Sequence, residues 1–158
     1  MDAAYNLARW LAKNEHDAED IVQDSFVRAF TYFGSFYGKD GRAWLLAIVR
    51  NTFYSWHQKK QVRDQNERAE VLPEDQLSQL PLQDSELESK NESQAVHNAL
   101  ESLPLEFREA IVLRELEGMS YKEIAALLHL PIGTVMSRLA RGREMLRSIL
   151  IRKLERDF

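Results

Sequence analysis

The sequence predicts an all-α protein with two small helical domains joined by a flexible acidic linker. Towards both ends of the chain, apolar residues recur at i, i+3, i+4 and i+7, which is the period of an amphipathic helix. Alternation of the strand type never persists. The middle of the chain contains two prolines, many Gln, Ser and Asn residues, and no aromatic residue. These observations predict a front domain, a linker and a rear domain at residues 1–61, 62–94 and 95–158.

The distribution of charge supports the same division. The chain has 158 residues and a formal net charge of −4. Residues 62–94 hold three basic and nine acidic residues, whereas each end is close to neutral. Low hydrophobicity combined with high charge favours disorder, so we expect this segment to be flexible. The acidity of the chain therefore describes the linker and not a binding surface.

Composition excludes several classes of site. The chain has no cysteine, so disulfides and thiolate metal sites are ruled out. No apolar run approaches the roughly 20 residues that cross a bilayer, and no signal peptide opens the chain. We therefore expect no metal, no cofactor, no membrane insertion and a cytoplasmic location. The four histidines lack metal-ligand spacing: His16, His57, His97 and His129.

The front domain is predicted to contain two amphipathic helices separated by a loop with three glycines, Gly34, Gly38 and Gly41. The apolar face of the first helix begins at Ala18 and continues with Ile21, Val22, Ser25, Phe26, Ala29, Phe30 and Phe33. The apolar face of the second helix consists of Trp44, Leu45, Ile48, Val49, Phe53 and Trp56. Acidic residues at the start of the first helix suit the positive end of its dipole.

The rear domain is predicted to contain a helix that begins near Pro104, followed by two further helices. Gly118 is expected to end that helix in a left-handed conformation. Ser120 and Glu123 form a capping-box pattern that opens the next helix. After a break at 130–133, Thr134 is expected to cap the last helix.

The last two helices match a helix-turn-helix pattern, in which the second helix enters the major groove of DNA. From residue 134 to residue 152 there are five arginines and one acidic residue. Arginine can read guanine edges or grip phosphate, and small hydroxyl side chains allow a close approach to the groove. The alternative is an amphipathic helix whose arginines only keep it soluble.

The stretch "LPLEFREAIVLRELEGMSYKEIAALLHLPIGTVMSRLARGREML" closely resembles region 4 of the bacterial extracytoplasmic-function (ECF) sigma factors. "HDAEDIVQDSFVRAF" resembles their region 2.2, and "FGSFYGKDGRAWLLAIVRNTFYSWHQKK" resembles regions 2.3 and 2.4. The resemblance implies an alternative sigma factor. Such a factor is not an enzyme: it binds core RNA polymerase, recognises the minus-10 and minus-35 promoter elements and promotes transcription initiation.

The resemblance implies three sets of site residues. The candidates for binding the polymerase, through the clamp helices of its largest subunit, are Asp17, Asp20, Gln23, Asp24, Val27 and Arg28. The candidates for the minus-10 element, which is held as stacked single-stranded bases, are Phe36, Tyr37, Lys39, Arg50, Asn51, Tyr54, His57, Lys59 and Lys60. The candidates for the minus-35 element are Ser120, Tyr121, Thr134, Met136, Ser137, Arg138, Arg141 and Arg143.

Met136 departs from the family pattern, because many relatives carry arginine or lysine at that position. Base contacts would then depend more on Ser137, Arg138 and Arg141. The resemblance also implies contact with the polymerase flap and an anti-sigma factor as a partner, and no small-molecule substrate.

Two other classes of function fit the sequence less well. A stand-alone helix-turn-helix regulator would normally be a dimer that reads two half-sites, and the sequence shows no heptad seam for a dimer. An enzyme would need a catalytic pattern, and neither a nucleophile elbow nor a P-loop occurs.

Overall fold

A computed structural model describes residues 2–35, 41–67 and 92–156. In these ranges the chain forms helices and no strand, so the prediction of an all-α fold is confirmed. A 3₁₀ turn at Phe33–Ser35 follows the second helix, and a π-helical turn at Val112–Leu116 continues the fifth. The α-helices are α1 (Asp2–Ala12), α2 (Glu15–Tyr32), α3 (Gly41–Glu67), α4 (Glu92–Glu101), α5 (Leu105–Ile111), α6 (Tyr121–Leu128) and α7 (Ile132–Arg156).

Helices α1, α2 and α3 pack against one another as the front domain. Helix α1 buries one face, on which apolar residues recur every three or four positions: Ala4, Leu7, Ala8 and Leu11. Lys13 ends this helix with a φ of 64°. Asn14 then caps α2, since its side chain accepts a hydrogen bond from the backbone N–H of Asp17 at 3.1 Å.

The buried faces of α2 and α3 differ in part from the predicted ones. On α2 the buried residues are Ala18, Ile21 and Ser25, whereas Phe30 and Phe33 are 85% and 65% exposed. The predicted face was therefore wrong at Phe30 and Phe33, while Phe26 and Ala29 are half-buried. On α3 the centre of the buried face lies at Leu46, Val49, Thr52 and Phe53.

The rear domain confirms most of the predicted helix ends. The capping box at Ser120 and Glu123 is formed, and Gly118 has a φ of 68°. The prediction that Thr134 caps the last helix was wrong. Helix α7 begins at Ile132, and the N–H of Thr134 already donates to the carbonyl of Pro131 at 3.0 Å. Proline's fixed φ suits a helix start, so the helix begins earlier.

Helices α5 and α7 make the closest helix contact in the rear domain, at Gly142. A Cβ atom at Gly142 would lie 2.7 Å from Cδ1 of Ile111 and 3.4 Å from Cβ of Phe107. Glycine at this position therefore sets how close the two helices come.

The two domains pack directly against each other. A single cluster of buried apolar residues runs from α1 and α3 of the front domain into α5 and α6 of the rear domain. The C-terminal part of helix α5 is buried: Arg108, Glu109, Ala110 and Ile111 are each at most 4% exposed. The rear domain therefore contacts the front domain through α5, and α6 also packs against α3.

The predicted domain boundaries at 61 and 95 fall inside helices, because α3 continues to Glu67 and α4 begins at Glu92. Residues 68–91, the rest of the predicted linker, lie outside the described residues. Across the described part of the chain, none of the helices is long and apolar enough to span a membrane.

Candidate protein and nucleic-acid interfaces

Helix α2 presents an exposed acidic face with apolar residues beside it. Asp20, Gln23 and Asp24 are exposed, and Val27 is 64% exposed. Arg28 lies 3.6 Å from Asp24, one helical turn away. Five of the six predicted polymerase-binding residues therefore lie on or beside this face.

The sixth residue of that set, Asp17, points elsewhere. Its carboxylate lies 3.5 Å from the ammonium group of Lys60, a residue predicted to bind the minus-10 element. Lys60 also lies over the ring of Trp56, at 4.9 Å from its centroid. The structure thus joins one residue from each of two predicted sites in an ion pair that holds α2 to α3.

Phe30 is a candidate that the sequence analysis did not include. It was placed on the buried face of α2, but it is 85% exposed. At 100° per residue it lies beside Gln23 on the helix surface. An exposed phenylalanine next to Val27 forms an apolar patch of the kind that marks protein interaction surfaces.

Helix α3 turns three of its predicted minus-10 residues towards the rear domain. The guanidinium group of Arg50 binds both carboxylate oxygens of Glu109, at 3.0 Å and 3.2 Å. The same guanidinium group lies 4.5 Å from the ring centroid of Tyr54. His57 lies about one turn after Tyr54, and its ring stacks on that of Phe53 with the two centroids 5.2 Å apart.

The titration of these groups reflects their burial against the rear domain. Burial, together with the charge of Glu109, raises the pKa of Tyr54 to about 12. Burial also lowers the pKa of Arg50, but the hydrogen bond and charge of Glu109 outweigh it, so that this pKa is raised overall. Burial lowers the pKa of His57, with a smaller contribution from Lys60 and Arg108.

The remaining minus-10 candidates are dispersed. Asn51 and Lys59 are exposed, and Lys59 lies about 180° around α3 from Arg50 at 100° per residue. The predicted base pocket in the loop lies outside the described residues, since it includes Phe36, Tyr37 and Lys39. Trp44, predicted to be a core residue, is half-buried, and its ring lies edge-on to that of Phe33 at 6.1 Å.

The start of α6 is fixed by two reciprocal hydrogen bonds. The Ser120 hydroxyl accepts from the N–H of Glu123 at 3.1 Å, and the Glu123 carboxylate accepts from the N–H of Ser120 at 2.8 Å. The ring of Tyr121 lies 4.6 Å from the guanidinium carbon of Arg114. That arginine also donates to the carbonyl of Met119 at 2.9 Å, which holds the turn before α6.

Helix α7 exposes one face to solvent. Met136 is 50% exposed, and Ser137 and Arg141 lie beside it in exposed positions. Thr134 is half-buried. The Ser137 hydroxyl donates to the carbonyl of Gly133 at 3.0 Å, which leaves its oxygen able to accept a hydrogen bond from a ligand.

The two other predicted arginines lie at the edges of this face and pair with acidic residues of the same domain. Arg138 lies 3.8 Å from Glu106 of α5. Arg143 donates to Glu115 at 2.6 Å, and this hydrogen bond raises the pKa of Arg143. Arg141 is thus the arginine nearest the centre of the exposed face.

The fold and these faces define a two-domain helical protein whose rear domain carries a helix-turn-helix. Two family models match the chain: Sigma-70 region 2 over residues 1–63, and Sigma-70 region 4 over residues 93–146. These matches separate the chain at nearly the positions where α3 ends and α4 begins.

The chain is also similar in sequence to curated ECF RNA polymerase sigma factors. The chain is 39% identical to the ECF RNA polymerase sigma factor SigE of Mycolicibacterium smegmatis, over 94% of this chain and 58% of that protein. It is 35% identical to the ECF RNA polymerase sigma-E factor of Haemophilus influenzae, over 89% of this chain and 77% of that protein. The chain belongs to the ECF RNA polymerase sigma factors, so this prediction from the sequence is confirmed.

Two solved structures are similar in fold. The sigma factor RpoE of Bartonella quintana, in complex with the anti-sigma factor NepR, matches with a TM-score of 0.76 and 31% identity, over 94% of this chain and 90% of that one. CnrH, in complex with the cytosolic domain of CnrY, matches with a TM-score of 0.63 and 29% identity, over 94% of this chain and 80% of that one.

Proposed function

We propose that this chain is an alternative sigma factor that binds core RNA polymerase, recognises the minus-10 and minus-35 promoter elements and promotes transcription initiation. Its role is binding and requires no catalytic group. The observation that carries the proposal is the exposed face of α7 in a helix-turn-helix that matches Sigma-70 region 4. A stand-alone regulator is supported less well, because the front domain matches Sigma-70 region 2.

The exposed face of α2 is the proposed contact with the polymerase. Its acidic residues complement a basic surface, and Val27 and Phe30 supply apolar area that binding would bury. The solved structure of RpoE includes the anti-sigma factor NepR, and that of CnrH includes the cytosolic domain of CnrY. We therefore propose an anti-sigma factor as a further partner of this protein.

The distance between the promoter elements requires the two domains to separate. Two helical turns of DNA span roughly 70 Å at 34–36 Å per turn. A flexible chain of 24 residues, the number between α3 and α4, would average about 27 Å end to end and reach on the order of 80 Å when fully extended. We therefore propose that the polymerase holds the domains apart. A neutral linker of equal length should impair initiation more than it impairs core binding.

Core binding tests the α2 face directly. We expect Val27→Asp to weaken binding to core RNA polymerase by about tenfold or more, because a carboxylate would have to be desolvated in an apolar contact. Val62→Asp is the matched control, since Val62 is 59% exposed on α3 and outside the proposed face. Equal affinities for the two variants would contradict the proposed contact.

Minus-35 recognition tests the α7 face. We expect Arg141→Ala to weaken binding of the holoenzyme to promoter duplex by about 1–3 kcal/mol. Arg152→Ala removes an exposed arginine near the end of the same helix and serves as the control. Run-off transcription from a promoter library would identify the sequences to use. Loss of equal size in both variants would show only a general electrostatic effect.

A further inference from the structure

Arg108 of helix α5 links the two domains through backbone carbonyls. Its Nε donates to the carbonyl of Trp10 at 2.8 Å, and one of its terminal nitrogens donates to the carbonyl of Leu11 at 3.1 Å. These carbonyls belong to the last turn of α1, where intrahelical donors run out. The other terminal nitrogen donates to the carbonyl of Leu103 in the rear domain at 2.8 Å. One rear-domain side chain therefore caps a front-domain helix.

Glu109, the next residue, makes a second link. Its side chain is 1% exposed and receives both hydrogen bonds from Arg50, whose side chain is 18% exposed. Such a two-point arginine–carboxylate pair fixes orientation as well as contributing energy. Arg42 of α3 adds a third link at the edge, because it donates to the carbonyl of Glu117.

These links cover part of the proposed minus-10 surface. Arg50 and Tyr54 are candidates for holding the minus-10 strand. In the structure, where the two domains pack together (the closed arrangement), both residues lie against α5 of the rear domain. The strand and α5 cannot occupy the same place. The closed arrangement also cannot span two promoter elements roughly 70 Å apart. Closure and promoter binding are therefore mutually exclusive.

We propose that the Arg50–Glu109 ion pair and the Arg108 cap form an autoinhibitory latch, which keeps the two domains closed and hides the minus-10 surface until the chain is opened on the polymerase. The inhibitory part of this inference rests on the proposed function. The latch itself rests on the contacts between the domains alone.

The chemistry of the latch suits a contact that must open. Buried charges regain water when the domains part, so opening recovers much of the desolvation cost that closure imposes. Opening would also expose the apolar side chains that cross the same interface, and this exposure opposes it. The latch therefore adds a defined orientation at modest net stability. A ligand that binds only the open form then binds more weakly, because its apparent Kd equals the intrinsic Kd divided by the fraction of open molecules.

The distance between the domains tests the latch in the full chain. The protein has no cysteine, so Glu19→Cys on α2 and Lys122→Cys on α6 allow two spin labels at exposed positions. In this background we expect Glu109→Gln to add a population at longer distances. Glu144→Gln removes one exposed carboxylate of the rear domain and should leave the distance distribution unchanged.

A charge swap separates loss of the latch from loss of folding. The double variant Arg50→Glu with Glu109→Arg rebuilds an ion pair with the charges exchanged, and we expect it to restore the short distance. Circular dichroism should show equal helix content in all variants. Distances in Glu109→Gln that match those of the parent would overturn the latch, as would a swap that stays open.

Binding of single-stranded DNA tests the inhibition. With a fluorescein-labelled random 15-mer as the probe, we expect Glu109→Gln to bind about tenfold more tightly than the parent. Glu144→Gln, which has the same change in net charge, should stay within about twofold of the parent. An open Glu109→Gln variant that binds no tighter than Glu144→Gln would overturn the inhibitory role. Failure of every form to bind core polymerase would reject the proposed function, while the distances would still decide the latch.

Discussion

Helix α5 is buried on two sides, and its two neighbours contact it in different ways. Towards α7 the contact is apolar and close, since Ile111 and Phe107 pack where Gly142 has no side chain. Towards the front domain the same helix adds the charged contacts of Arg108 and Glu109 to the apolar cluster that crosses the interface. Opening the first contact would expose only apolar side chains, whereas part of the second contact consists of charged groups that water can solvate. We infer that α5 stays with α7 when the domains separate.

The same difference affects the two proposed DNA-binding surfaces. On α7, Met136 and Arg141 are exposed while the domains are closed. On α3, Arg50 is held against Glu109. If each surface acts as proposed, the minus-35 surface is accessible before the minus-10 surface.

Arg108→Ala should have the largest effect. It leaves the carbonyls of Trp10 and Leu11 without their donor, and we expect a loss of about 3 kcal/mol from the closed form. Native-state hydrogen exchange should show faster exchange in α1, while the amides of α7 keep their protection.

Arg147→Ala removes an exposed arginine from α7 and is the control for this experiment. We expect it to leave hydrogen exchange unchanged in both α1 and α7. If Arg108→Ala speeds exchange equally in α1 and α7, then α5 does not stay with α7 when its contact with the front domain opens, and the proposed difference between the two contacts is wrong.

Gly142→Leu should disrupt the other contact. The added side chain has no room beside Ile111, so we expect the free energy of unfolding to fall by about 2 kcal/mol. The loss should appear as a lower thermal midpoint for the rear domain. Gly133→Leu is the matched control, because nothing lies within 4 Å of a Cβ at Gly133. A midpoint for Gly142→Leu no lower than that of the control would contradict close packing.

The sequence predicted the apolar contact better than the charged one. Helical spacing in the sequence puts Phe107 and Ile111 on one side of α5, and Gly142 on one stripe of α7 with Leu139 and Leu146. Capping chemistry is local, and so the box at Ser120 was also predicted correctly. These features depend on residues that lie within a few positions of one another.

The charged contact could not be predicted in the same way. Arg50 and Glu109 are 59 residues apart, and a charged residue on a helix normally faces water. One signal was available: Arg108 is spaced three and four residues from Ile111 and Val112, so it falls on the apolar side of α5. The partner of each charged residue depends on how the two domains dock, and the hydrophobic periodicity of a helix carries no information about docking. Exposure of Phe30 was missed for the same reason.

Tyr54 gives a pH test of the charged contact. Its pKa is about 12 in the folded chain, above the ordinary value of 10.0, so the folded state holds the phenolic proton more tightly. The resulting stability is fully present below pH 10 and is lost as the pH rises from 10 to 12. We expect this loss to be about 1 kcal/mol, since solvent screens a half-buried site.

Urea unfolding at pH 9 and at pH 11.5 measures this effect. Tyr54→Phe lacks the ionising group, so the difference between parent and variant isolates Tyr54 from the other four tyrosines. Parent and variant with the same change in stability between the two pH values would show that Tyr54 is not held against Glu109 as described.

Ser120→Ala should have the smallest effect, because the cap it removes touches neither contact of α5. It deletes the acceptor for the N–H of Glu123, which typically costs about 1 kcal/mol. Ser137→Ala is the matched control with the opposite expected sign, since Ser137 lies inside α7, where alanine is the better helix former. Thermal unfolding compares the two variants. If Ser120→Ala also changes the distance between the domains, the ends of the rear helices are coupled to the latch, and the separation of the two contacts of α5 would no longer hold.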